Sequence, residues 1–255
     1  MDDLKRYEEL VKTIEYHNDR YYNQDDPEIS DYEYDMMMKE LKKIEKDHPE
    51  FVTPNSPTQH VGGSAKREAG VLVRHRVPML SLQDVFSKEE VQDFVKSMQE
   101  TLVDPVFVVE YKIDGLSMAL RYENGLLTTA ITRGDGIIQG EDVTVNAKVI
   151  KDVKNKLKEP IEYLEVRGEV YMTNEAFDKV NEIQELNNKK TFANPRNCAA
   201  GTLRQLDSRI TKQRNLSMFI FNIQDIRGKE ITSHSQGYEY LKIQGMKVID
   251  NYQIC

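Results

Sequence analysis

The hydrophobic pattern changes period along the chain. Apolar or aromatic residues recur at Leu4, Tyr7, Val11, Ile14 and Tyr21, the spacing of one helical face. The segment DDPEIS breaks this pattern. A second helix is expected from Ser30, because SDYE sets Ser30 as N-cap and Glu33 three positions later, a capping box. Tyr34, Met37, Met38, Leu41 and Ile44 continue it. Residues 47–64, DHPEFVTPNSPTQHVGGS, are rich in Pro, Ser, Thr and Gly and read as a linker. The first unit is therefore a helical pair, small for independent stability. A further capping box, SKEE at Ser87 to Glu90, starts a helix with Val91, Phe94, Val95, Met98 and Leu102 on one face.

Beyond that helix, strands dominate. They are expected at 106–113, 116–122 and 126–132, and Asn124-Gly125 between the last two is a hairpin signal. ITRGDG is a glycine-punctuated turn. Residues 161–172, IEYLEVRGEVYM, read as a strand with Glu165, Arg167 and Glu169 on one face. A helix around Phe177, Val180 and Ile183 follows, then a short one in NPRNCAAGTLRQL opened by Pro195. LSMFIFNIQDI reads as a buried strand, and 235–249 as a helix then a strand. The order predicts an α+β protein: a small helical domain over residues 1–64, then a domain over 65–255 with mainly antiparallel sheets.

Composition narrows the class. Hydrophobic residues are 39% and charged residues 31%, which suits a globular protein in water. No apolar run approaches the roughly 18 residues of a membrane span, and the charged, amphipathic start is unlike a signal peptide. The two cysteines, Cys198 and Cys255, cannot build a disulfide framework or a four-cysteine zinc site within this chain. A reducing cytoplasm is expected. The net charge of −8 opposes indiscriminate nucleic-acid binding. It is unevenly spread: residues 1–50 hold sixteen acids against eight bases, while Lys189 to Arg214 holds seven bases and one acid.

Candidate chemistry centres on VFVVEYKIDGLSMAL. Glu110, Lys112 and Asp114 alternate, so a strand here sets all three on one face. A lysine among apolar neighbours is either an edge-strand guard or a nucleophile whose amine partial burial frees. Arg133, at the end of a hairpin partner strand, and Glu169, on another strand, suit phosphoryl or nucleotidyl transfer: a fork of N–H donors for phosphate, and carboxylates for a ribose hydroxyl or magnesium. No P-loop and no strand–GxGxxG–helix is present. The five histidines have no metal-ligand spacing. Asp31, Tyr34 and Asp35 share a face of the second helix, and Tyr21 and Tyr22 close the first. Carboxylates beside tyrosine rings suit a flat cation, and tyrosines at helical spacing equally suit packing.

EYKIDG, TRGDG, LEVRGEVYM and FANPRNCAAGTLRQLD together resemble the adenylation region of bacterial NAD-dependent DNA ligases. DPEISDYEYD, SPTQHVGG and VPMLSL resemble the N-terminal part of that family, in the same order, so the likeness covers essentially the whole chain. The resemblance implies a nucleotidyltransferase domain after a domain that binds nicotinamide mononucleotide (NMN). It implies Lys112 as the nucleophile toward the α-phosphate of NAD, Glu110 at the adenine, and Asp114 beside the lysine. It implies Arg133 and Glu169 at ribose and phosphate, and Ser81 and Leu82 as a nucleotide-binding pair. Tyr21, Tyr22, Asp31, Tyr34 and Asp35 would grip NMN, and Arg196 and Arg204 would contact DNA or phosphate. NAD, NMN, magnesium and nicked double-stranded DNA are the implied cofactors and partners, with no membrane and a monomer expected.

The turn RGDGIIQGED is one residue longer than the family's usual form, and Cys198 stands where alanine is usual. The family's DGVVIK strand and its zinc module are not in these 255 residues, so the chain resembles a truncation, and weak activity is expected of it alone. An ATP-using nucleotidyltransferase and a non-catalytic NAD or NMN binder are the alternatives.

Overall fold

The computed structural model describes residues 2–23, 28–53, 56–59 and 70–255. Helix α1 (Asp2–Asn18) runs into a π-helical turn, Asp19–Asn23, and helix α2 (Asp31–Asp47) packs back on α1. Tyr7, Leu10, Ile14 and Leu41 form the small core between them, and the Arg6 guanidinium clasps Glu40 with bonds of 2.7 and 2.9 Å. Ser30 caps α2 with both halves of the expected capping box. Of the expected linker, residues 49–51 form a 3-10 turn, while 54–55 and 60–64 lie outside the described residues.

The main sheet has the antiparallel order β4–β3–β6–β7, built from β3 (Leu116–Glu123), β4 (Leu126–Thr132), β6 (Tyr163–Tyr171) and β7 (Ser217–Arg227). Two short pairs flank it: β1 (Leu72–Arg74) with β5 (Gln139–Glu141), and β2 (Val108–Glu110) with β8 (Tyr252–Ile254). The helices are α3 (Lys88–Thr101), α4 (Thr144–Ala147), α5 (Asn174–Leu186), α6 (Pro195–Leu203), α7 (Ser208–Gln213) and α8 (His234–Ile243). No described helix is long and apolar enough to cross a membrane. The architecture is α+β with antiparallel sheets, as expected.

Period-two alternation gives the sheet two unlike faces. Leu116, Leu120 and Tyr122 of β3 stand opposite Val170, Val166 and Leu164 of β6, on the core side. Ser117, Ala119 and Arg121 stand opposite Glu169, Arg167 and Glu165. The expected common face for Glu165, Arg167 and Glu169 is therefore present, and it is the polar one.

Three expectations need correction. The strand over 106–113 is confined to Val108–Glu110, since its one neighbour, β8, offers three residues; Val109 is 59% exposed. Lys112 and Asp114 follow it with no ladder partner, so they do not share a strand face with Glu110. The strand expected at the end of 235–249 is a single parallel bridge, Val248 to Ile220. At α3, Ser87 caps the Glu90 N–H, but the Glu90 carboxylate accepts from the Phe86 N–H at 2.6 Å and from Lys39 at 3.0 Å. The apolar face of α3 has no buried residue.

Candidate active site

The site is assembled where β3 begins. Lys112 is exposed, so the partial burial expected of it is absent. The chain enters β3 through Gly115, where an added Cβ would lie 2.1 Å from the Val170 carbonyl oxygen; a residue without a side chain is required. Two positions on, the Ser117 hydroxyl donates to Glu169 Oε2 at 2.7 Å. Burial pushes the Glu169 carboxyl above its ordinary range. The Ser117 bond and the positive charges of Arg196 and Lys112 oppose the rise, and Asp114 adds to it. Lys112, Asp114 and Arg196 thus all act by charge on Glu169. Arg196, in the first turn of α6, lies 3.6 Å from Asp114 and holds its guanidinium 5.1 Å from the Tyr21 ring centroid, a cation–π contact between α6 and the helical pair.

Arg133 follows β4 directly, and its N–H bonds the Ser117 carbonyl at 3.2 Å. Gly134 and Gly136 turn the chain with φ of 55° and 75°, the region that favours glycine. Between them Asp135 accepts the N–H groups of Ile137, Ile138 and Gln139 at 2.9, 2.7 and 3.0 Å. Burial would raise that carboxyl, but the three donors outweigh it and hold the group low. The longer RGDGIIQGED turn is closed by this one carboxylate.

Three arginines strap the segment that carries Ser81 across the polar face. Arg121 donates to the Arg74 carbonyl at 3.0 Å and Arg167 to the Val77 carbonyl at 2.8 Å. Arg133 donates to the Met79 carbonyl at 3.2 Å and to Ser81 Oγ at 2.6 Å. Ser81 and Arg133 thus meet, and Leu82, expected to pair with Ser81 at the nucleotide, is exposed. Behind the strap Arg121 pairs with buried Glu165 at 2.9 Å, and the Tyr163 hydroxyl donates to the same carboxylate oxygen at 2.7 Å.

Glu110 ends β2 and is tied to α8: Tyr238 donates to its Oε2 at 2.6 Å, and His234 Nε2 lies 3.3 Å from that oxygen. In the helical pair Tyr34 donates to Asn18 Oδ1 at 2.8 Å and is half-buried, as is Asp35. The side chains of Tyr22 and Asp31 lie outside the described residues. Arg204 pairs with Glu141 of β5 at 3.0 Å, both largely buried. Reading the sequence missed Ser117, the strapping roles of Arg121 and Arg167, and the α8 partners of Glu110. Ser117 alone had a local signal, lying two residues beyond a turn glycine on an expected strand. Among the described residues no group of three or more His, Cys, Asp or Glu side chains could hold a metal ion.

Comparison with known proteins gives the family. Residues 70–255 match the family described as the NAD-dependent DNA ligase adenylation domain, and residues 1–62 match a DNA ligase-like, N-terminal NAD+-binding domain. The chain is 55% identical to a DNA ligase of Clostridium kluyveri over 255 residues, all of this chain and 38% of that protein. It is 53% identical to one of Caldicellulosiruptor saccharolyticus over 98% of this chain and 37% of that protein. With a DNA ligase of Acetivibrio thermocellus the identity is 49%, over 100% of this chain and 38% of the relative. The chain therefore spans 38% or less of the length of these curated relatives. With its adenylation region matched from residue 70 to residue 255, the chain belongs to the NAD-dependent DNA ligase adenylation-domain family.

Proposed function

We propose that this chain carries out, or forms part of a cytoplasmic protein that carries out, the self-adenylation step of DNA ligation with NAD as substrate. The Lys112 amine, deprotonated when it attacks, adds to the α-phosphorus. The phosphorus–oxygen bond toward the nicotinamide nucleotide breaks, NMN leaves with the bridging oxygen, and one of the nitrogen's two protons is lost to solvent. The product is a lysine–AMP phosphoramidate. A 5′-phosphate of nicked DNA would then take the AMP, and the 3′-hydroxyl would displace it.

The observation that carries this reading is that Lys112, Asp114 and Arg196 all act by charge on the buried Glu169 carboxyl, with Arg196 3.6 Å from Asp114. Glu110 would meet adenine. Arg133, Glu169, Ser81 and Leu82 would meet ribose and phosphate, and Arg196 and Arg204 phosphate or DNA. Residues 1–64 act as the NMN-binding domain, through Tyr21, Tyr22, Asp31, Tyr34 and Asp35, and residues 65–255 as the adenylation domain.

The test is intact-mass measurement after incubation with NAD and magnesium, quenched without acid to preserve the phosphoramidate. A low yield of the one-adenylyl adduct is expected on the wild type, in line with the weak activity expected of these residues alone, and none on Lys112→Ala. An adduct that survives in Lys112→Ala, or one formed equally well from ATP, would overturn the reading. Titration of NMN against wild type and Asp35→Ala examines the helical pair separately; equal affinities would remove Asp35 from the site.

A further inference from the structure

We propose that Tyr238 and His234, on α8, are positioning residues that aim the Glu110 carboxylate as a selector for a purine bearing a 6-amino group. This rests on the reading above, in which Glu110 meets the base.

Glu110 has two carboxylate oxygens in different situations. Oε2 is taken: Tyr238 donates to it at 2.6 Å and His234 Nε2 lies at 3.3 Å. Oε1 has no partner among the described residues. The carboxylate itself is 25% exposed, sheltered but open to a ligand. A carboxylate oxygen only accepts hydrogen bonds. Held in one orientation, Oε1 therefore favours the 6-amino group of adenine. It repels the 6-oxo group of hypoxanthine or guanine, which also only accepts there.

The orientation is fixed by packing. Tyr238 is 1% exposed. Its ring sits 4.4 Å from the His234 ring and 5.5 Å from that of Tyr252, centroid to centroid. Its hydroxyl also lies 3.3 Å from the Phe221 carbonyl. Tyr252 is the register partner of Glu110 across β2 and β8, so one strand pair sets both the carboxylate and the wall behind the phenol. Burial and the Glu110 charge push the Tyr238 phenol upward, so it remains a donor. Ser233 caps α8 through the Gln236 N–H at 3.2 Å, which fixes where His234 begins the helix.

Equilibrium binding of NAD and of its hypoxanthine counterpart to the whole chain tests this, with Tyr238→Phe, His234→Asn and Glu110→Gln beside the wild type. The wild type is expected to prefer NAD. Tyr238→Phe should weaken NAD binding about tenfold, the worth of one hydrogen bond to a charged group, and leave the hypoxanthine dinucleotide unchanged, so the preference shrinks. A merely structural role would weaken both alike and overturn the proposal. So would an unchanged preference in Tyr238→Phe while Glu110→Gln, whose amide can accept or donate, erases it; the reading of Glu110 would then stand. If Glu110→Gln keeps the preference, or the wild type has none, the reading of Glu110 falls and the proposal with it. Should circular dichroism show Tyr238→Phe unfolded, His234→Asn carries the same comparison, and the same results support or overturn the proposal.

Discussion

Arg133 reaches the hydroxyl of Ser81, 52 positions earlier in the chain, at 2.6 Å, with its Nε on the Met79 carbonyl. It is the last of three clasps that hold residues 74–81 on the sheet, after Arg121 and Arg167. Arg167 is buried, and burial lowers its guanidinium below the usual arginine range, with the Glu165 charge opposing. Arg167→Met keeps the apolar stem and removes the donor to Val77. The variant should fold with a loss of about 1.5–3 kcal/mol, the cost of a hydrogen bond from a charged donor. Amides of residues 76–82 should exchange faster by hydrogen–deuterium exchange, and NAD should bind more weakly. Unchanged exchange there would mean that Arg121 and Arg133 hold the strap without it.

Glu165 and Arg121 form the most enclosed ion pair, with side chains 0% and 7% exposed. Removing one partner leaves a buried charge without compensation. Glu165→Leu should cost about 3–5 kcal/mol, read as a drop in thermal midpoint. Adding Arg121→Met should recover most of it, because two apolar residues of similar size replace the pair. A double variant no more stable than the single one would show that the Arg121 bond to the Arg74 carbonyl is the larger contribution.

Alternation made β3, β4 and β6 legible in the sequence, because the Asn124-Gly125 turn fixed one register and the apolar residues of β3 and β6 fixed the core face. Capping residues gave the start of α2 for the same local reason. Strands β1 and β5 have three residues each and show no period. The error at Lys112 has a physical source: an apolar run predicts burial only if something covers it, and β2 has a three-residue partner. Within the site, Arg133, Glu169 and Lys112 could be read from motifs. Their partners could not, since Tyr238 lies 128 positions from Glu110 and Arg167 lies 90 from Val77.

Glu169 is held above its ordinary value of 4.5 chiefly by burial. The native state therefore binds this proton more tightly than the unfolded chain does. The carboxyl's contribution to stability is full below about 4.5 and is lost as pH rises through the native value. Above the native value the protein carries a buried charge it would be more stable without. Glu169→Gln, which can still accept from Ser117, should raise the thermal midpoint at neutral pH. The gain should shrink as pH falls toward 4.5, and adenylation should fall throughout. A gain independent of pH would show that the carboxyl's titration is not its source.

Cys198 is fully buried in α6, and burial pushes its thiol up to about 11, partly offset by the charge of Arg214. Cys255 is exposed. Thiol titration of the native protein in mild alkali should therefore count one reactive group, and titration in denaturant two. Two fast thiols in the native state would mean that α6 opens readily from the sheet.

Gly115 and Gly237 make opposite predictions for the same substitution. At Gly115 a Cβ would lie 2.1 Å from the Val170 oxygen and 3.1 Å from Glu169 Cγ, so β3 and β6 must part where Ser117 meets Glu169. Gly115→Ala should cost about 1–3 kcal/mol as overpacking. It should also weaken NAD binding and adduct formation, because the loop carrying Lys112 moves with it. At Gly237, inside α8, the nearest atom would be Ile223 Cδ1 at 3.5 Å, an ordinary contact. Gly237→Ala should stabilise by about 0.5–1 kcal/mol through helix propensity alone. Thermal unfolding and NAD titration of the two variants side by side check both; a Gly115→Ala protein that binds NAD as the wild type does would show that the entry of β3 tolerates a side chain and that the position of Lys112 does not depend on it.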